Sequence, residues 1–209
     1  DQPLINMTLT NFANETSSES PAPGGGSISA YCGALGSALS VMVANLSSHK
    51  RGWDEKWMEF SNWAEKGMVY QNKLLNLVDE DTNAFNNIMD AFRLPKDSIA
   101  EKKIRNKTIQ EATKNAILIP FNVMETSYKS MEVMKAMVEI GNPNSITDAA
   151  VGALCARTAV IGAFLNVKIN CNEYKNKSFV KDILLKGEKL VEDACKMEEE
   201  IMEITHSKI

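Results

Sequence analysis

The stretch from Ser20 to Lys50 sets the tightest limits on what this chain can fold into. Between Ala22 and Ser48 it holds no charged side chain. Pro21 and Pro23 stiffen the approach, and Gly24, Gly25 and Gly26 let the backbone turn sharply or lie against a ligand where a Cβ would forbid it. Ser27 stands where an N-cap belongs. Beyond it Ala30, Gly33, Ala34, Ser37 and Ala38 recur at three- and four-residue spacing, so one stripe of the predicted helix is nearly flat and another backbone can approach it closely. The stretch is long enough to span a membrane, but it is rich in Gly and Ser and short of Leu, Ile and Phe. A buried helix, with no membrane partner, is the expectation.

The same signature returns once. From Asp148 onward Ala149, Gly152, Ala153, Ala156, Ala159, Gly162 and Ala163 form a second smooth stripe, which predicts that two small-residue helices cross at short distance. This helix starts either at Asn142, with Pro143 in its first turn, or at Ser145, where Ser-Ile-Thr-Asp reads as a capping box closing on Asp148. Asn166 and Asn170 extend it with amides that need partners. Around the pair, the pattern predicts a short helix over Leu4 to Asn14, a long one from Trp53 to Phe92 with a break near Gly67, another from Ser98 to Ile140 kinked at Pro120, and a solvated outer helix from Lys177 to about Thr205. The expected fold is all-α: a bundle of about five long helices with two central Gly/Ala-rich helices, in one domain over residues 1–209.

Candidate chemistry is sparse, which makes each exception informative. In the Trp53 to Phe92 helix, Tyr70, Leu74, Leu77, Asp81, Ala84, Phe85, Ile88 and Phe92 share one face. Asp81 is out of place among them. A carboxylate there must be partnered or have its pKa raised by burial, so it is a candidate for proton transfer, with a buried structural hydrogen bond as the alternative. Arg93 and Lys96 flank the helix stop at Pro95. His49, Lys50 and Arg51 suit the negative end of the first small-residue helix, with Gly52 able to take the left-handed cap. A net charge of −4 and a pI near 5.4 give no overall attraction to nucleic acid. Cys32, Cys155, Cys171 and Cys195 lie too far apart in sequence for metal-ligand spacing or a compact disulfide framework, so reduced thiols and no metal are expected. No charged segment followed by an apolar one opens the sequence, and a cytoplasmic location is expected.

Four stretches together resemble a known family. They are PAPGGGSISAY followed by VMVANLSSHKRG, DTNAFNNIMDAFRLPK from Asp81 to Lys96, ILIPF around Pro120, and GNPNSITDAAVGALCARTAVIGAFLNVKIN from Gly141 to Asn170. In this order they are similar to the cyclodeaminase domain of the formiminotransferase-cyclodeaminase family, over nearly the whole chain; Thr147 stands where serine is expected and keeps a hydroxyl. The resemblance implies an all-α homodimer in histidine degradation that converts 5-formimidoyltetrahydrofolate to 5,10-methenyltetrahydrofolate and ammonia. Close relatives act as methenyltetrahydrofolate cyclohydrolases. A helical folate-binding module without turnover is a further alternative.

Closing that ring requires N10 to attack the one-carbon unit, a proton to leave N10 and another to reach the departing amine. Asp81 and Asp148 are expected to supply the acid-base group and the charge. Lys50, Arg93 and Lys96 are expected to hold the anionic tail, and Ser27, Asn142 and Asn166 to hydrogen-bond the pterin or the reacting nitrogens. No cofactor is expected beyond the tetrahydrofolate substrate. No stretch resembles the transferase half of the family, so a separate formiminotransferase is an expected partner.

Overall fold

The computed structural model describes residues 3–209, so the first two positions of the expected domain lie outside the described residues. Six α-helices follow one another: α1 (Leu9–Thr16), α2 (Gly25–Ser48), α3 (Trp57–Arg93), α4 (Ile99–Ile140), α5 (Ile146–Cys171) and α6 (Lys177–His206). Short 3-10 turns at Leu4–Asn6, Asp54–Lys56 and Pro143–Ser145 lead into α1, α3 and α5. The described residues contain no strand. The all-α expectation of five long helices holds, with α1 as a short addition.

The two small-residue helices lie against each other, running in opposite directions. A Cβ at Gly33 would meet Ala159, one at Gly162 would meet Ser29, and one at Gly36 would sit 2.6 Å from the Gly152 carbonyl oxygen. Gly152 in turn leaves only 2.9 Å to the Gly36 oxygen. Backbone therefore touches backbone, which no side chain larger than hydrogen permits at these two positions. Both helices are apolar and long enough to cross a membrane, yet most of α2 is buried inside the bundle. α3 and α4 complete its wall, bringing Phe60, Leu74, Ile117, Met124 and Met131 into one core. α6 covers α4 and α5 from outside through Ile183, Ala194 and Ile201, with Arg157 of α5 3.6 Å from the buried Glu198.

Several local expectations are corrected. α2 begins two residues before Ser27, with Gly24 at its N-cap and no capping side chain of its own. α3 does not break at Gly67, which is glycine because a Cβ there would lie 2.6 Å from Val41 on α2. Ser145 makes no capping hydrogen bond and is buried, so no box closes on Asp148; Asn142 instead accepts from the Asn144 N–H, and the capping box of this chain is Ser98 with Glu101, at the start of α4. Phe85 and Phe92 stand exposed rather than in the core. Gly52 does take the left-handed conformation, at φ +84°. No disulfide joins the four cysteines.

Pro120 does not end α4, because another helix fills the gap it leaves. Proline has no N–H, so the Ala116 carbonyl one turn earlier loses its helical partner. The Asn170 side-chain amide of α5 donates to that oxygen at 2.7 Å. Asn170→Leu should therefore destabilise the protein by about 1–3 kcal/mol, the usual range for a buried acceptor left unpaired. In a Pro120→Ala background the restored N–H takes over the carbonyl, and thermal melts of the two single variants and the double variant should show a smaller Asn170 effect there.

Candidate active site

At the N-terminal end of α2 the chain approaches α3 so closely that a Cβ on Gly26 would overlap the Asp81 carboxylate. The third glycine of the triad is explained by that approach. Asp81 in turn serves α2 as a cap supplied from another helix. Its carboxylate receives a hydrogen bond from the Ser27 backbone N–H, one of the donors that the first turn of a helix leaves free, and lies 3.0 Å from the Ser27 hydroxyl. Ser27 is fully buried, and its hydroxyl also lies 3.0 Å from the Val78 carbonyl.

Two opposing effects act on Asp81. Burial, the larger, pushes its pKa above the ordinary carboxylate value; the Ser27 hydroxyl and N–H pull the other way by stabilising the anion. The Ser27 hydroxyl has one proton for two acceptors. When that proton points at Val78, the Ser27 oxygen can accept from Asp81 only if Asp81 is protonated. Both states of the carboxyl thus have a hydrogen-bonding arrangement available, which suits a group that gives and takes a proton.

Around Asp81 opens a cavity of about 210 Å³ lined by Gly24, Gly25, Gly26, Thr82, Phe85, Ala116, Asn166 and Asn170, with Pro21 and Ala22 at its rim. Asn166 Nδ2 donates to Gly162 of its own helix, and its amide faces Gly25. Three of the four motif stretches, those with the glycines, Asp81 and Asn166, meet at this cavity, and Ala116 brings the segment that precedes Pro120. Thr82, Phe85 and Asn170 line this cavity without having been expected there; the (i, i+4) step from Asp81 to Phe85 is the signal the sequence offers. A larger polar cavity of about 690 Å³ adjoins it through Pro21, Ala22 and Thr82.

The remaining expected site residues lie elsewhere. Asp148 is some 18 residues along α5 from Asn166, about 27 Å at helical rise. Asp81 and Asp148 therefore do not face one carbon within a single copy of the chain. Lys50 sits at the other end of α2, its Nζ over the Trp53 ring at 4.2 Å, and the Asn142 N–H donates to Ser47 there at 2.8 Å. Arg93 and Lys96 do lie on the Asp81 side, about three to four turns farther along the chain; Arg93 pairs with Asp90 at 2.8 Å, and Lys96 is exposed. Among the described residues no group of three or more His, Cys, Asp or Glu is placed to hold a metal ion.

The sequence profile of the formiminotransferase-cyclodeaminase family matches residues 8–189. The chain belongs to this family. It is 33% identical over 204 residues to the methenyltetrahydrofolate cyclohydrolase of Methylorubrum extorquens, covering 98% of both proteins. It is 31% identical over 179 residues to the formimidoyltransferase-cyclodeaminase of Mus musculus, of which it spans 33%. The fold matches a crystal structure of formiminotetrahydrofolate cyclodeaminase from Thermotoga maritima with a TM-score of 0.84 over 97% of each chain, at 24% identity.

The pH dependence of stability follows from the sign of the Asp81 shift. A carboxyl whose folded pKa is raised contributes stability that is fully present below its ordinary value and is lost as pH rises through the raised one. Asp81→Asn carries no charge at any pH. Its melting temperature should exceed that of the wild-type protein near neutrality, and the gap should close as pH falls from roughly 7 to 4 in a series of thermal melts.

Proposed function

We propose that this protein is a 5-formimidoyltetrahydrofolate cyclodeaminase, closing 5-formimidoyltetrahydrofolate to 5,10-methenyltetrahydrofolate with release of ammonia. The observation that carries the reading is the half-buried Asp81 carboxyl at the meeting point of the family's motif stretches. Held between Ser27 and the cavity, Asp81 takes the proton from N10 as it attacks the one-carbon unit and returns a proton to the departing amine. Ser27 orients the carboxyl, the Asn166 amide hydrogen-bonds the pterin or a reacting nitrogen, and Arg93 and Lys96 receive the anionic tail. The proposed chemistry needs no cofactor besides the tetrahydrofolate, and the protein works in the cytoplasm, in histidine degradation, with its substrate supplied by a separate formiminotransferase.

A second reading, methenyltetrahydrofolate cyclohydrolase, is favoured by the match over 98% of both chains to a relative of that name. It uses the same group in the same place, with water in place of the amine.

The proposed protein is a homodimer. Ile28, Leu35, Met42 and Leu46 of α2, with Val151, Leu154 and Leu165 of α5, form an exposed apolar face. Two adjacent helices about 36 Å long and roughly 10 Å wide offer on the order of 700 Å² in projection, near the 800 Å² per partner of a stable interface. When the two-fold axis runs across α2, the helices pair antiparallel, and the Asp148 and Lys50 end of one copy comes beside the Asp81 end of the other. In that arrangement Asp148, Lys50 and Asn142 act from the second copy.

An absorbance assay decides the reaction, since methenyltetrahydrofolate has a chromophore that its precursor and its hydrolysis product lack. Formation from the formimidoyl substrate identifies a cyclodeaminase; loss of the methenyl signal without ammonia identifies a cyclohydrolase. Asp81→Asn should lower kcat by about two to four powers of ten while circular dichroism stays unchanged, and near-wild-type turnover would remove Asp81 from the chemistry. Leu35→Glu should convert a dimer to a monomer in sedimentation; a wild-type monomer would remove the dimer proposal.

A further inference from the structure

Beyond Asp81, α3 carries three large apolar side chains that the fold does not use. Phe85, Met89 and Phe92 are 40%, 39% and 47% exposed, although each belongs to a helix whose opposite side is buried against α2 and α4. At one, two and three turns past Asp81 they form a stripe that starts at the cavity, where Phe85 is part of the lining. Ile88 packs on the core and seats it. From Asp81 to Phe92 the stripe runs about 16 Å.

The far end of the stripe is basic. The Arg105 guanidinium lies over the Phe92 ring, 5.6 Å from its centroid, and Nη2 donates to the Phe92 carbonyl at 3.1 Å. Arg93, Lys96, Lys102 and Lys103 stand in the same segment, facing three carboxylates. Asp90 is paired with Arg93, and Glu101 accepts from the backbone N–H groups of Asp97 and Ser98, which leaves Asp97 as the third. Cations remain in excess there, with Lys96 in no ion pair among the described residues.

We infer that Phe85, Met89 and Phe92 are the platform for the aromatic amide arm of the substrate, and that Arg105 joins Arg93 and Lys96 in receiving its carboxylates. The inference rests on the folate reading above. The reacting nitrogens at Asp81 fix one end of the ligand. A benzoyl ring followed by glutamyl residues, each longer in a γ-linked chain than the roughly 3.5 Å of an extended α-linked residue, then covers the length of the stripe. An aryl face suits Phe and Met side chains by area burial and by offset stacking, and an anionic end suits the basic segment. A second copy of the chain fits this stripe less well, because two basic segments would be brought together.

The experiment uses the full chain, wild type and with Phe92→Ala, Phe92→Tyr and, as a control on the remote exposed surface of α6, Leu185→Ser. Phe92→Ala should raise KM about tenfold and keep kcat within about threefold, since the arm binds alike in ground and transition states; Phe92→Tyr should restore KM. By calorimetry, p-aminobenzoylglutamate, the arm without the pterin, should bind Phe92→Ala about tenfold more weakly, while a reduced pterin without the arm binds both forms equally. Leu185→Ser should change neither. Equal binding of p-aminobenzoylglutamate to wild type and Phe92→Ala overturns the platform, as does dissociation of an oligomer by Phe92→Ala with KM unchanged. The calorimetry needs no turnover. A wild-type protein inert towards both one-carbon folates fails the proposed reaction, whereas an active one with an unaffected Phe92→Ala fails the platform alone.

Discussion

The contact of α2 with α5 at Gly36 and Gly152 is the constraint on which the remaining geometry depends. Two helices whose backbones touch have almost no freedom to slide or rotate, because the small residues at the seam leave no flexible side chain to absorb a shift. That fixes where the first turn of α2 ends up, and with it the distance from Gly26 to α3. The position of Asp81 is therefore set from both sides: by the helix that carries it and by the helix it caps. A site built from one side chain on a rigid helix against another helix's free N–H needs no loop to be ordered first.

Asp81 is also where two opposing influences on protonation meet in one group. As a cap it belongs in the anionic form, which the positive end of α2 favours. As a carboxyl partly removed from water it is pushed toward the neutral form, and desolvation is the stronger influence. A purely structural cap would be expected at the surface, where serine or aspartate can stabilise a helix without that conflict. Gly24, which has no side chain to offer, leaves the role to Asp81 and an open cavity beside it.

Much of this was legible from residue spacing. The two smooth stripes announced the central pair, and the lone carboxylate on an apolar face pointed to the residue that borders the candidate cavity. Other features depend on partners that spacing cannot reveal. Ser27 looked like a cap because local sequence lacks the one that α2 uses, 54 residues away. Gly67 looked like a break because the side chain it makes room for, Val41, lies on another helix. Periodicity put Phe85 and Phe92 on a common face but could not say where the cover over that face ends. Lys50, Asn142 and Asp148 stand in motif stretches beside residues of the site, and helical rise carries them to the opposite end of the bundle.

Pro120 and Asn170 lie in two different motif stretches, ILIPF and the segment ending NVKIN, and one hydrogen bond ties them together. Each residue is awkward without the other: a proline within a long helix strands a carbonyl, and an asparagine on an apolar helix strands an amide. Replacing either one alone leaves a polar group without its partner. A descendant that replaces the proline releases the amide at 170, which already lines the cavity, for a new ligand contact. The pair is thus a route by which the pocket can acquire a different substrate preference without any change in the helices that frame it.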